Sequence, residues 1–180
     1  IPGAGLFEHA KAAGHLYQAH LRRLLAERLG VEFGPVVNGH ADVLGVPDEV
    51  IALFSKRKGE IAEMLSESGA TSARAAQIAT LETRKAKDYD VDADTIDARW
   101  RAEAAEAGFT GSEVARCFDR SAATVLDDAA IDAMLDSLAG PHGLTERSAT
   151  FCRTDVIESI ASAAGASLTA RQIEAVADRF

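Results

Sequence analysis

Two cysteines, four prolines, two methionines and one tryptophan are spread thinly through 180 residues. Cys117 and Cys152 lie far apart and in no metal-ligand spacing. That excludes a disulfide-stapled scaffold and a zinc ribbon, and makes a reducing cytoplasm the expected compartment. No apolar run approaches the roughly 18 residues that a membrane span requires, so no membrane partner is expected. The opening Ile-Pro-Gly-Ala-Gly has neither the basic region nor the apolar core of a secretory signal. It also lacks an initiator Met, so the chain is expected to derive from a longer one. Hydrophobic residues at 47% and charged residues at 26% are ordinary for a folded domain and exclude disorder as the main state.

Lysine is absent from the second half. All five lysines (Lys11, Lys56, Lys58, Lys85 and Lys87) fall within the first 88 residues, where 11 Lys/Arg balance 11 Asp/Glu. Residues 89–180 hold 8 and 17, which accounts for the whole net charge of −9. Any nucleic-acid surface is therefore expected in the first half, because the second repels phosphate.

Helical periodicity dominates what remains. Between Leu6 and Leu29, Ala10, Ala13, Tyr17, Leu21 and Leu24 recur at spacings of three and four, which predicts one buried face. Gly30 is a natural stop. The period then changes: Val31 and Phe33 flank Glu32, and Asn38-Gly39 separates two short apolar runs. Both turn positions of such a dipeptide accept positive φ, so a β-hairpin is expected at about 31–45, with Pro35 limiting its first strand. A helix is expected from Pro47 to about Ser68, buried through Val50, Leu53, Phe54, Ile61, Met64 and Leu65 and weakened at Gly59. Thr71 or Ser72 should cap the next helix, with Ala75, Ile78 and Ala79 inward. Asp92 or Asp94 should open another, with Ile96, Trp100 and Ala104 on one face. Thr110-Gly-Ser-Glu113 reads as a capping box. Helices follow at 127–138, 153–164 and 170–179, the last opened by Thr169-Ala-Arg-Gln172. The expected fold is mainly α with one small hairpin.

Chemistry has no anchor in these residues. The five histidines (His9, His15, His20, His40 and His142) offer no ligand spacing joined to a third ligand, so no metal site is expected. No phosphate-binding glycine loop and no nucleophile elbow occurs. Catalytic residues are therefore expected to be none, and cofactors none in this chain. Two basic clusters stand out instead: Lys56-Arg57-Lys58, and Arg84-Lys85 followed by Lys87, with Arg74 opening the helix that carries the second. Solvated helix faces are the ordinary reading of such clusters. Three cations within one helical turn also suit a phosphate backbone, and these seven residues are the expected DNA contacts. Trp100 and Phe54 fall on apolar stripes and are expected in the core rather than as stacking platforms.

Gly5-Leu-Phe-Glu-His-Ala-Lys-Ala-Ala-Gly-His-Leu-Tyr17 resembles the conjugative relaxases of the TrwC/TraI (MobF) family, and so does Leu24-Leu-Ala-Glu-Arg-Leu-Gly-Val-Glu-Phe-Gly-Pro-Val-Val-Asn-Gly39. The likeness continues through Gly45-Val-Pro, Val50 to Lys58, Thr71 to Gln77 and Thr83 to Lys87. Residues 144–158 are similar to the segment that opens the helicase region of the same proteins, except that Cys152 stands where Ser or Thr is usual. The resemblance implies a parent that nicks plasmid DNA with a tyrosine and a divalent metal held by three histidines, then unwinds it with ATP. The tyrosine and three-histidine motifs do not occur here, and neither Tyr17 nor Tyr89 takes that role. Three segments are implied: 1–88 from the C-terminal part of the relaxase domain, 89–139 an acidic connector, and 144–180 the start of the helicase region.

The expected function is thus non-catalytic: a fragment of a conjugative relaxase-helicase that helps hold single-stranded DNA at the origin of transfer during plasmid mobilisation. The rival is a helical spacer or interaction module, between relaxase and helicase or read by the secretion machinery, without DNA contact. Beyond single-stranded DNA, the expected partners are the rest of the polypeptide and, through apolar surface left exposed in the first half, a second copy of the chain.

Overall fold

The computed structural model describes residues 4–69, 71–84, 92–120, 124–146 and 148–180, and leaves out the side chains of residues 4–8 and 73. The chain is mainly α. Nine helices are present among the described residues, and none is long and apolar enough to cross a membrane. By packing, the chain forms two compact units. One takes residues 1–44 and 116–180, the other residues 45–115. These units divide the chain at different places from the three segments drawn by resemblance, because packing and family likeness follow different lines.

The first unit is built on α1 (Ala4–Leu29). Its buried face is not the one the large apolar residues mark. Ala12, His15, Ala19, Arg22 and Ala26 are buried at alternating spacings of three and four, whereas Tyr17 is 64% exposed. Ala10 belongs to a surface cleft and Ala13 is exposed. Alanines at 12, 19 and 26 let a neighbouring helix approach closely, and close packing of many small contacts outweighs burial of a single tyrosine that keeps its hydroxyl in water. The neighbours are α8 (Arg153–Ala163) and α9 (Ala170–Ala177), whose Val156, Ile157, Ile160, Ala161, Ile173, Val176 and Ala177 complete the core with Leu168. Helix α7 (Asp128–Ala139) adds Ile131, Met134, Leu135 and Leu138 to it. Capping sets these helix starts. Asp127 accepts from the Ala130 N–H at 2.8 Å, and Thr169 and Gln172 form the expected reciprocal box. At α8 the work passes to Asp155, whose carboxylate accepts from the Cys152 N–H at 2.8 Å and from its thiol at 3.0 Å. Those two bonds hold the Asp155 carboxyl below its ordinary pKa.

The hairpin forms at its tip and at one place along its arms. Val37 and His40 exchange both backbone hydrogen bonds, at 2.7 and 3.0 Å. Between them Asn38 (φ 51°) and Gly39 (φ 83°) take the two positive-φ positions of a type I′ turn. Phe33 bridges Val43 further down. The pairing stays as isolated bridges because Pro35, between them, has no N–H to give. At the base, the returning chain crosses Gly30 so closely that a Cβ there would meet the Asp119 Cα at 2.7 Å. Asp119 and Arg120 donate their N–H groups to the carbonyls of Leu29 and Gly30 at 2.9 and 3.0 Å.

The second unit holds α2 (Asp48–Phe54), α3 (Lys56–Ser68), α4 (Ala73–Glu82), α5 (Ala93–Glu106) and the short α6 (Gly111–Ala115). The single helix expected from Pro47 to Ser68 is broken at Ser55 (φ −95°, ψ 34°) into α2 and α3. Gly69 in the left-handed region ends α3, and the Ser72 hydroxyl caps α4 by accepting from the Ala75 N–H. Asp92 caps α5 in the same way through Thr95. The core here is small, Val50 and Ala79 being its buried residues. Phe54 and Trp100, expected inside, are 43% and 52% exposed. Ile78 also lies at the surface. The stripes are present in the sequence, but the five helices supply too little facing apolar surface to cover them.

Candidate nucleic-acid interface

A cleft of about 260 Å³ opens in the first unit between α1 and the hairpin tip. One wall is α1, giving Lys11, Gly14, His15, Tyr17 and Gln18. The other is the turn, giving Asn38, Gly39 and His40. The helical period places Gly14, Tyr17 and Gln18 on one face because they lie three and four residues apart. The turn is fixed against that face from below. Buried Arg22, 2% exposed, donates from Nη1 to the Gly39 carbonyl at 2.7 Å. Its Nε and Nη2 reach the carbonyls of Gly165 and Ala161, at 3.0 and 3.2 Å, where α8 ends. Among the described residues no carboxylate pairs with it. The unmade carbonyls and the negative end of the α8 dipole take that place. Burial lowers the Arg22 pKa, though a guanidinium stays charged across the physiological range.

His15 forms the floor. Its ring lies against Gly39, where a Cβ would come within 2.9 Å, and its Nδ1 lies 3.3 Å from the Glu158 carbonyl and 3.4 Å from the Ser162 hydroxyl. Above this floor the cleft presents an exposed phenol ring, two carboxamides and an exposed imidazole. Aromatic faces stack on unpaired bases, and amides present a donor and an acceptor together to a base edge. Chemically the cleft suits a flat, hydrogen-bonding ring of the size of a nucleobase.

Of the seven expected DNA contacts, the five among the described residues do not form one group. Lys56, Arg57 and Lys58 are exposed in the first turn of α3. Arg57 Nη2 donates to the Thr80 carbonyl at 2.8 Å, which brings that turn to the end of α4 beside exposed Arg84. Lys56 Nζ is paired with Glu103 of α5 at 2.7 Å. Arg74 is at the opposite end of α4, about 15 Å along the axis from Arg84 at 1.5 Å per residue. Lys85 and Lys87 lie outside the described residues. Arg84 shares a groove of about 370 Å³ with Glu60, Glu63, Glu67 and Glu82, so the groove wall beside it is acidic.

The described residues bring together no three His, Cys, Asp or Glu side chains that could hold a metal ion.

The family model for the TrwC relaxase matches residues 1–107. The chain belongs to the TrwC relaxase family. The match includes α1, the hairpin and the helices to α5, and therefore both walls of the cleft and the basic turn of α3. No curated protein matches the chain, and no solved structure does. Within this TrwC-family chain the cleft residues Tyr17, Gln18, Asn38 and His40 are what sequence reasoning passed over as a site. The available signal was the alanine series at 12, 19 and 26. It marks the inner face of α1 and so turns Tyr17 and Gln18 outward.

Proposed function

We propose that this chain holds single-stranded DNA for a conjugative relaxase-helicase during plasmid mobilisation, without itself cutting or unwinding it. The observation that carries the proposal is the cleft between α1 and the turn, where an exposed tyrosine ring stands beside Gln18, Asn38 and His40 on a scaffold locked by buried Arg22. Pre-organised aromatic and amide groups lower the ordering cost of seating an unstacked base. The exposed cations Lys58 and Arg84 in the other unit add phosphate attraction that carries no sequence information. A 12-nucleotide labelled DNA strand, titrated in fluorescence anisotropy at several salt concentrations, tests the proposal. The chain should bind with salt-dependent affinity. Tyr17→Ala should weaken binding by about 1–3 kcal/mol, the usual worth of a base-stacking ring. Absence of binding at low salt, or a Tyr17→Ala variant that binds like the parent, refutes it.

One observation favours a spacer or interaction module instead. Four glutamates line the groove that contains Arg84, and such a groove repels phosphate. Failure of the strand to bind at low salt makes that second reading the better one.

A further inference from the structure

Lys11 is the sole cation among the side chains lining the cleft. It does not face the cleft unengaged. Its Nζ sits 2.5 Å from Glu158 Oε2, contributed by α8 from 147 positions further along the chain. The two partners are unequal. The Lys11 side chain is 74% exposed and the Glu158 side chain 13% exposed. The carboxylate is the confined partner, and the backbone that carries it is anchored: the Glu158 carbonyl accepts from the Ser162 hydroxyl at 2.8 Å and lies beside His15, while α8 packs against α1 in the core. The lysine is a point charge on a flexible stem with three rotatable donors, and it can turn between two anions. Asp155, one turn earlier on α8, also feels the Lys11 charge. Helix α8 thus presents a fixed anionic edge to the one mobile cation of the cleft.

We infer that Glu158 is a built-in competitor for the strand, a carboxylate that holds Lys11 until a DNA phosphodiester displaces it. The inference rests on the proposed strand-holding role and names how that site is regulated. A phosphodiester offers an ammonium the same anionic oxygens as a carboxylate, so exchange needs no new chemistry. It costs the Lys11–Glu158 pair and leaves the carboxylate near the incoming phosphate. Weakly seated strands are rejected at that cost. By linkage, a seated strand also loosens the tie between α8 and α1 to the same degree.

The test uses the full chain and a fluorescein-labelled oligothymidylate of about 12 nucleotides at low salt. Glu158→Gln should bind about two- to fivefold more tightly than the parent, the size of one exposed ion pair. Glu158→Asp keeps the charge but withdraws it by one methylene, and should give a smaller gain in the same direction. With Lys11→Gln already present, Glu158→Gln should add nothing, because the competition acts through the lysine. A gain that persists with Lys11→Gln means that Glu158 only repels the strand at a distance, and overturns the inference. Binding by the parent with no gain in either Glu158 variant overturns it alone. No binding by the parent at low salt overturns both it and the strand-holding role.

Discussion

Arg22 donates to the carbonyl of Gly39 at 2.7 Å from a position that is 2% exposed, and the same guanidinium reaches Ala161 and Gly165 at the end of α8. One side chain therefore ties the hairpin tip, α1 and α8 into a single joint. Its planar fork matters as much as its charge, since three carbonyls in different directions need donors that point in different directions. Lysine has the charge without the fork. Arg22→Lys should lose at least one charge-assisted hydrogen bond and destabilise the chain by about 1.5–3 kcal/mol. A melting curve checks this, and a variant that melts with the parent removes Arg22 from the centre of the first unit.

The other half of that joint is Gly39. Its φ of 83° is unfavourable for a branched residue, and the His15 ring occupies the place of a Cβ. Gly39→Val should destabilise by about 1–3 kcal/mol from backbone strain, with the His15 contact adding to it. It should also widen the cleft, because the turn must move away from α1. An unchanged melting temperature speaks against the type I′ turn.

Local signals of this kind are the most readable part of the chain. Asn38-Gly39 makes its turn, Thr169 and Gln172 make their box, and Gly69 ends its helix, each through chemistry confined to a few neighbouring residues. Tyr17 shows where reading stops. Its spacing fits an apolar stripe, but which face of α1 is buried depends on α8, more than a hundred residues away. Arg22 is harder still, since burial of a charge is only sensible once the carbonyls of Gly39, Ala161 and Gly165 converge on it. The cleft depends on both, which is why sequence reasoning named Lys56, Arg57 and Lys58 and passed over Gln18 and Asn38. Trp100 and Phe54 teach the same lesson in the second unit. An apolar stripe predicts a buried face only if something is folded against it.

Glu113 supplies a pH prediction. Hydrogen bonds from the Thr110 hydroxyl, then from the Ser112 hydroxyl and the Thr110 N–H, lower its pKa to about 2. A carboxyl whose folded pKa lies below its unfolded value of about 4.3 stabilises the folded form above the unfolded pKa. That stabilisation is lost as pH falls towards the folded pKa. The cap on α6 should therefore hold at neutral pH and weaken between about pH 4 and pH 2. The Thr110 amide resonance, followed by NMR through an acid titration, should move with a midpoint near 2, and Glu113→Gln should abolish the step. A midpoint near 4 indicates that the capping box does not form.

The basic end of the second unit separates charge from structure. Arg57 holds α3 to α4 through the Thr80 carbonyl, and Lys56 holds α3 to α5 through Glu103, whereas Lys58 and Arg84 are exposed. Sequence alone predicts that Lys56, Arg57 and Lys58 replaced together by Ala leave stability nearly unchanged and flatten the salt dependence of DNA binding by about 2. The contacts divide that result. Lys58→Ala and Arg84→Ala should each lower the slope of log affinity against log salt by about 0.7, alike for different sequences, with no shift in melting. Arg57→Ala should lower the melting temperature by the equivalent of up to about 1 kcal/mol, the ordinary net worth of one hydrogen bond. Lys56→Ala should cost less, since an exposed ion pair contributes between 0 and about 1 kcal/mol. The control replaces Arg99 and Arg101, exposed on acidic α5, which should leave the slope nearer that of the parent. Equal slopes for the Lys58, Arg84 and control variants remove this end of the chain from the DNA interface and leave the α1 cleft to account for binding.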